Sequence, residues 1–423
     1  MKDNWNELTI GNEINFLGGF PFSSAKFNEE GQGVPLIRIR DLLKSSQETY
    51  FDGPYSDTYL VEEGDVLIGM DGDFHIVKWK NSPSLLNQRI LRVSGKRKGK
   101  INIDFLFYYL NPFLLDVHNK TAATTVKHLS TFDISKAVDL FPPLPQQQKI
   151  AKILSTVDTV IEQTETAIAK YQAIKQGLMH DLFTRGIDVN TGKLRPKQQD
   201  APELYKESAL GLIPKEWEVN EFEKTCLKVA DRDHFTPIYF DQGIPIISPK
   251  DFDQNHNISF EKCKYISHEA HLKNCKKTDL KTGDLVFTRI GAGLGKVTIV
   301  ESWMPEFSIL HSACMIRTDD KILDSRYLMY YMKGEILQRQ IGVEVQSIGV
   351  PDLGLDKIRL FKCSYPVDKK EQITISNRLS KVDDKIQTEQ QALAKYQQLK
   401  AGLLQDLLTG KVEVGVDEEI INN

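Results

Sequence analysis

The stretch TRIGAGLGKV (residues 288–297) sets glycines and a lysine where a phosphate-cradling loop would have them. The pattern G-x-x-x-x-G-K-[ST] is incomplete, because Val297 follows Lys296, and the segment leads into a strand-like KVTIV rather than a helix. Its glycines suit a tight strand-to-strand loop that approaches another surface, such as a DNA backbone, with Arg289 and Lys296 flanking it. Cys263, His268, His271 and Cys275 are spaced as zinc ligands can be. The first half of the chain has nothing comparable, however, and SHEAHLKNC reads equally as a short helix with its polar residues in water. Pro351-Asp352 and Asp368-Lys369-Lys370 loosely match a PD…(D/E)xK nuclease pattern, but Asp368 also stands where an acidic residue favours a helix N-terminus. Asn111-Pro112-Phe113 is one residue short of an NPPF-type adenine methyltransferase motif, and no glycine-rich cofactor fingerprint precedes it. With no Ser/His/Asp or Cys/His arrangement in view, the chain reads as non-catalytic, holding neither metal nor cofactor.

Contact with a polyanion is the chemistry that remains. Arg38 and Arg40 lie two apart in a strand-like run, so both project from one face while Ile37 and Ile39 fill the other. Lys78, Lys80, Arg89, Lys127 and the run Lys96-Arg97-Lys98 add positive charge, although GKRKGK also reads as a solvated hairpin tip. Ser248, Lys250, Arg289 and Lys296 occupy related places in the second half. The net charge of −4 and pI near 6.2 work against bulk electrostatic attraction to DNA. A DNA-binding role therefore needs a local basic surface or a partner that supplies one.

The elements that would position these residues are written twice. AKYQAIKQGLMHDLFT (169–184) returns as AKYQQLKAGLLQDLLT (394–409), 225 residues later. At that offset Ile150, Leu154, Val157, Ile161, Ile168, Tyr171, Leu178 and Leu182 map onto Ile375, Leu379, Val382, Ile386, Leu393, Tyr396, Leu403 and Leu407. With Thr164 and Lys175 filling the gaps, the spacing alternates by four and three, the a/d seam of a coiled coil. The polar interruptions recur in register too, Thr164 with Glu389 and Lys175 with Lys400. Each helix is expected to start after a proline, Pro145 or Pro366, and to stop near Gly186 or Gly410. Upstream, GVPLIRIRDL (33–42) resembles GIPIISPKDF (243–252), and GDVLI (64–68) resembles GDLVF (283–287).

The expected order is a globular domain over residues 1–145, a long helix over 146–185 and a connection over 186–210. A second domain follows over 211–367, then a helix over 368–410 and an acidic tail over 411–423. The fold class is α+β, two similar domains joined by two antiparallel coiled-coil helices with pseudo-two-fold character. At 423 residues the chain is long enough for these parts. No apolar run approaches the roughly 18 residues of a membrane span, and MKDNWNELTI does not read as a signal peptide. Five cysteines, all in the second half and without CxxC, suit a reducing cytoplasm.

LLNQRI (85–90), TVKHLSTFDISKAVDLFPPLPQQQKIAKILSTVD (125–158), LGLIPKEWEV (210–219) and GDLVFTRIGAGLGK (283–296), with the two long helices, resemble the specificity subunits of type I restriction–modification enzymes. The resemblance spans nearly the whole chain. It implies two target recognition domains, each reading one part of a split site in double-stranded DNA, and a coiled coil that fixes the unread spacer. It also implies docking of two modification subunits, which methylate adenine with S-adenosylmethionine, and of two restriction subunits that use ATP and Mg. The specificity subunit itself is non-catalytic. The chain departs from the pattern at YPVDKKEQI, which replaces a PPLPQQQKI lead-in, and at GMDGDF (69–74), which lacks the Gly-Lys end of GAGLGK. A protein-binding scaffold and a nuclease centred on Asp352 are the competing readings.

Overall fold

A computed structural model describes residues 4–44, 47–81, 83–120, 127–234, 236–345 and 351–415. Part of the acidic tail, residues 416–423, lies outside the described residues. The chain divides into two compact units, Met1–Glu165 with Gln391–Asn423, and Thr166–Gln390.

In the first unit, strands β1 (Ile14–Gly18), β2 (Val34–Ile37), β3 (Val66–Gly69), β4 (Ile76–Lys78) and β5 (Ile90–Gly95) precede helix α1 (Ile103–Lys120) and the long helix α2 (Leu144–Thr184). An antiparallel sheet runs β1-β5-β3-β4. Strand β2 belongs to a second sheet, where Leu36 and Ile37 pair in parallel with Leu85 and Leu86. The run VLIG of β3 is apolar throughout because the strand is covered on both sides. Val66 and Ile68 join the core under α1, while Leu67 turns to the core beneath the second sheet with Ile37 and Leu86. GKRKGK is not a hairpin tip. It is the turn from β5 into α1, and Lys96 Nζ caps the Gly11 and Asn12 carbonyls at 3.0 Å.

The second unit repeats this plan with β6 (Cys226–Ala230), β7 (Ile244–Ile247), α3 (His268–Cys275), β8 (Leu285–Thr288), β9 (Val297–Ile299), β10 (Ala313–Thr318), α4 (Ser325–Lys333) and the long helix α5 (Lys369–Leu408). Its sheet runs β6-β10-β8-β9, and Ile246 and Ile247 pair in parallel with Ser308 and Ile309. Leu285 and Phe287 face one core and Val286 the other, as in β3. Residues 187–214 form two hairpins. They are clamped by Arg195, whose guanidinium holds buried Glu371 in the first turn of α5 through two bonds of 2.5 and 2.9 Å.

The long helices have 41 and 40 residues, about 60 Å each at ~1.5 Å per residue. Helix α2 begins at Leu144, so Pro145 falls inside its first turn, where a missing N–H leaves no bond unmade. Gly186 and Gly410, with φ of +66° and +69°, follow the two C-termini in the left-handed conformation that glycine adopts without strain. Each unit takes the start of one long helix and the end of the other, packed antiparallel. Ile150 and Leu154 share a core with Leu407 in the first unit, and Leu182 shares one with Ile375 and Leu379 in the second. All sixteen apolar seam positions are buried or half-buried, against exposed Ile174, Ile373 and Leu399 on the outer faces.

SHEAHLKNC (267–275) does form the short helix α3 after its first serine, but not with all its polar residues in water. His271 and Asn274 are buried and both bond the Ser308 hydroxyl, at 2.9 and 3.2 Å. His271 also meets Glu306 at 3.0 Å.

Candidate nucleic-acid interface

In each domain, three segments converge beyond the end of the central strand, and the backbone hydrogen bonds that join them are the same in both. Past β3, the Met70 amide donates to the Arg89 carbonyl (2.8 Å), Leu129 to Met70 (2.7 Å) and Gly72 to Lys127 (3.0 Å). Past β8, Arg289 donates to Ser312 (2.9 Å), Leu353 to Arg289 (2.9 Å) and Gly291 to Pro351 (2.9 Å). Gly72 and Gly291 have φ of +76° and +92°, the backbone state these tight turns require. On this frame Met70 occupies the place of Arg289, Arg89 that of Ser312 and His128 that of Asp352. Residues 121–126 and 346–350, which precede Lys127 and Pro351 in sequence, lie outside the described residues.

The side chains on the two frames differ. In the first domain Asp71 takes bonds from Arg89 and from His128 Nδ1, the latter at 2.7 Å. Burial pushes the Asp71 carboxyl up, but these two partners outweigh it and hold the carboxyl below its ordinary range. Arg89 keeps 61% of its side chain exposed and has φ +74°, an uncommon state for a residue with a Cβ. Lys127, next to His128, turns inward and donates to the His118 carbonyl at 2.6 Å.

In the second domain Arg289 is not the exposed flank of its loop. Its side chain is only 4% exposed and holds Asp231 and Asp352 at 2.8 Å each, and the Leu353 carbonyl at 3.0 Å. The sheet end places it between two carboxylates, so it braces the turn rather than presenting charge to solvent, and Asp352 is engaged in an ion pair. His234 stacks on His311 with ring centres 4.9 Å apart. Burial, with His234, Arg232 and Arg289 around it, pulls His311 below its ordinary value. Lys296 is likewise internal, donating to the Phe252 and Asp253 carbonyls at 2.8 and 3.0 Å. Beside it the Val297 amide donates to His256 Nδ1 at 3.2 Å. Burial and the charges of Lys333, Lys296 and Lys175 lower His256 to about 4, which keeps that acceptor unprotonated at neutral pH.

A pair of 3-10 turns flanks this rim. The strand alternation expected at Arg38-Ile39-Arg40 ends at Ile37, because the Asp41 carboxylate accepts the Arg38 amide (3.1 Å) and curls residues 39–41. The Ser248 amide and hydroxyl both meet Asp251 at 2.7 Å in the matching turn. Residues 31–40 and 241–250 have the same burial, position by position, which sets Arg40 and Lys250 on equivalent outward points. Arg38 and Ser248 are half-buried and hold the turns. A Cβ on Gly69 would lie 3.0 Å from Leu42, and one on Gly293 would lie 3.1 Å from Pro249, so each turn abuts its rim.

Lys78 and Lys80 stand elsewhere. Lys78 pairs with Asp104 of α1 at 2.6 Å and covers the rings of Phe107 and Tyr108, while Lys80 reaches Glu162 of α2 at 2.6 Å. Thus Arg40, Arg89 and Lys250 are the sequence candidates that offer exposed positive charge at the rims. Asp71, His128, Asp231, His234 and His311 were missed, because their signal lies in hydrogen bonds between distant loops rather than in spacing. Aligning GDVLI with GDLVF sets Asp71 opposite Ile290, so no repeated residue type marks it.

The family model described as "Type I restriction modification DNA specificity domain" matches residues 2–172 and 214–398. The chain is 26% identical over 368 residues to the type I restriction enzyme EcoBI specificity subunit of Escherichia coli, covering 85% of this chain and 75% of that one. It is 25% identical over 420 residues to the MjaVIII specificity subunit of Methanocaldococcus jannaschii, covering 98% and 94%. Among solved structures, the type I restriction–modification S subunit from M. genitalium aligns with a TM-score of 0.65 at 14% identity over 96% of both chains, a likeness of fold.

Proposed function

Since this chain belongs to the type I restriction modification DNA specificity family, we propose that its two domains each read one half of a bipartite site in double-stranded DNA. The observation that carries this reading is the pair of rims, alike in backbone and different in side chains. A scaffold that keeps the loop geometry and changes the groups it displays is what two readers of unlike sequences need.

At each rim, Arg40 or Lys250 engages phosphates and fixes register, while the residues on the turns meet base edges in the major groove. Arg89 is the natural partner for a guanine edge in the first domain, once it exchanges Asp71 for the base. The helix pair sets the separation of the half-sites, near one turn of duplex, ~34 Å, or somewhat more. It also docks two modification subunits, which flip out and methylate adenines. S-adenosylmethionine, and the ATP and Mg used when two restriction subunits join, are assigned to those partners in the cytoplasm. This chain contributes recognition and geometry rather than bond chemistry. Among the described residues, no helix is long and apolar enough to cross a membrane.

Replacing residues 1–140 by those of another family member tests domain autonomy. One half-site in the methylated sequence should change while the other and the gap between them stay. A change in both halves would refute independent reading.

A further inference from the structure

Besides Lys80–Glu162 in the first unit and Trp217–Glu371 in the second, each unit joins its domain to the helix pair at two polar points that recur in the other unit. The inner point is a glutamine in the first turns of a long helix. Gln147 Oε1 accepts the Asn102 amide at 2.8 Å, and its Nε2 donates to the Lys100 and Pro142 carbonyls at 2.9 and 2.8 Å. Gln372 Oε1 accepts the Asp324 amide at 2.7 Å, and its Nε2 donates to the Ile322 and Pro366 carbonyls at 2.9 and 2.8 Å.

The outer point is a Tyr–Asp–Lys joint. In the first unit the Tyr108 hydroxyl donates to Asp158 at 2.7 Å, and Lys400 Nζ meets the other carboxylate oxygen at 2.6 Å. In the second, Tyr330 donates to Asp383 at 2.8 Å, and Lys175 meets its other oxygen at 2.5 Å. The tyrosines come from the domain helices α1 and α4, the aspartates from the long helix that follows each domain, and the lysines from the other long helix. One carboxylate therefore binds a domain to both members of the helix pair. Burial together with the neighbouring carboxylate keeps both tyrosine hydroxyls above their ordinary range, so they stay donors.

The geometry gives the outer joint a mechanical purpose. Asp158 lies eleven positions after Gln147, and Asp383 eleven positions after Gln372. That is about 16 Å along a helix and about three full turns, so both points lie on one face. Apolar packing resists separation but is non-directional. A body held at one directional point can pivot about it, whereas two points ~16 Å apart on one axis remove that freedom.

We propose that the Tyr108–Asp158–Lys400 and Tyr330–Asp383–Lys175 joints are positioning residues that lock the angle between each recognition domain and the helix pair. By doing so they limit the protein to one spacer length between half-sites. The inference rests on the bipartite reading given above.

The test uses the full chain co-purified with its modification subunit and duplexes that carry both half-sites with the gap varied by up to two base pairs either way. Wild type should retain one gap length. Asp158→Asn, and the milder Tyr108→Phe, should raise retention at the neighbouring gaps at least tenfold relative to the preferred one, with the half-site sequences unchanged. Asp158→Lys combined with Lys400→Asp, which restores the ion pair with its charges exchanged, should sharpen the preference again. Variants that bind more weakly at every gap, yet discriminate gaps as sharply as wild type, would show that the joints only add stability and would overturn the proposal. If wild type selects no bipartite site at all, the functional reading itself fails and the proposal falls with it.

Discussion

Charge at the rims divides into cations that hold the protein together and cations that face solvent, and Arg289 and Arg40 mark the division. Arg289 lies between Asp231 and Asp352 with 4% of its side chain exposed, whereas Arg40 has 50% exposed. Replacing Arg289 by Met, the residue at the matching place in the first domain, removes the partner of two carboxylates. Such a loss of one member of a buried ion pair costs about 3 kcal/mol, so chemical denaturation should detect a less stable second domain. Arg40→Ala and Lys250→Ala should each leave stability within about 0.5 kcal/mol. Each should instead lower the slope of log affinity against log salt by about 1 in the modification complex. An Arg289→Met protein as stable as wild type, or an unchanged salt slope in both surface variants, would contradict this division. The division was not legible in the sequence. Arg289, Lys296 and Lys78 read there as free cations because their partners Asp231, Asp352, Phe252 and Asp104 are brought to them by the tertiary fold.

The elements were far more legible, for reasons of periodicity. The a/d spacing of α2 and α5 survives in any environment that covers one stripe of a helix, and the buried seam from Ile150 to Leu182 and from Ile375 to Leu407 follows it. Strands β3 and β8 were visible as VLIG and LVFT because both of their faces are covered. The limit of this reading lies at Arg38-Ile39-Arg40, where a single Asp41 side chain curls a run that alternates like a strand. Helix length carries its own expectation. Seven residues inserted into each long helix, after Glu165 and after Gln390, keep the seam in register and add about 10 Å. The selected gap should lengthen by about three base pairs of ~3.4 Å. A gap that stays the same would exclude the helices as the spacer.

At the scale of the whole molecule, the duplication and the charge balance fit one account. The chain repeats its sheet order, its turn frames, its glutamine anchors and its Tyr–Asp–Lys joints, and it varies the side chains on the rims. Its net charge of −4 predicts weak binding to a polyanion by the chain alone, and on the proposed reading the modification subunits supply most of the phosphate neutralisation. The most direct measurement is selection from a random duplex library by the chain co-purified with its modification subunit. The account expects two short sequence blocks separated by one fixed, unread gap. DNA retained without a bipartite motif, or no DNA retained, would contradict it and favour a scaffold that binds protein alone.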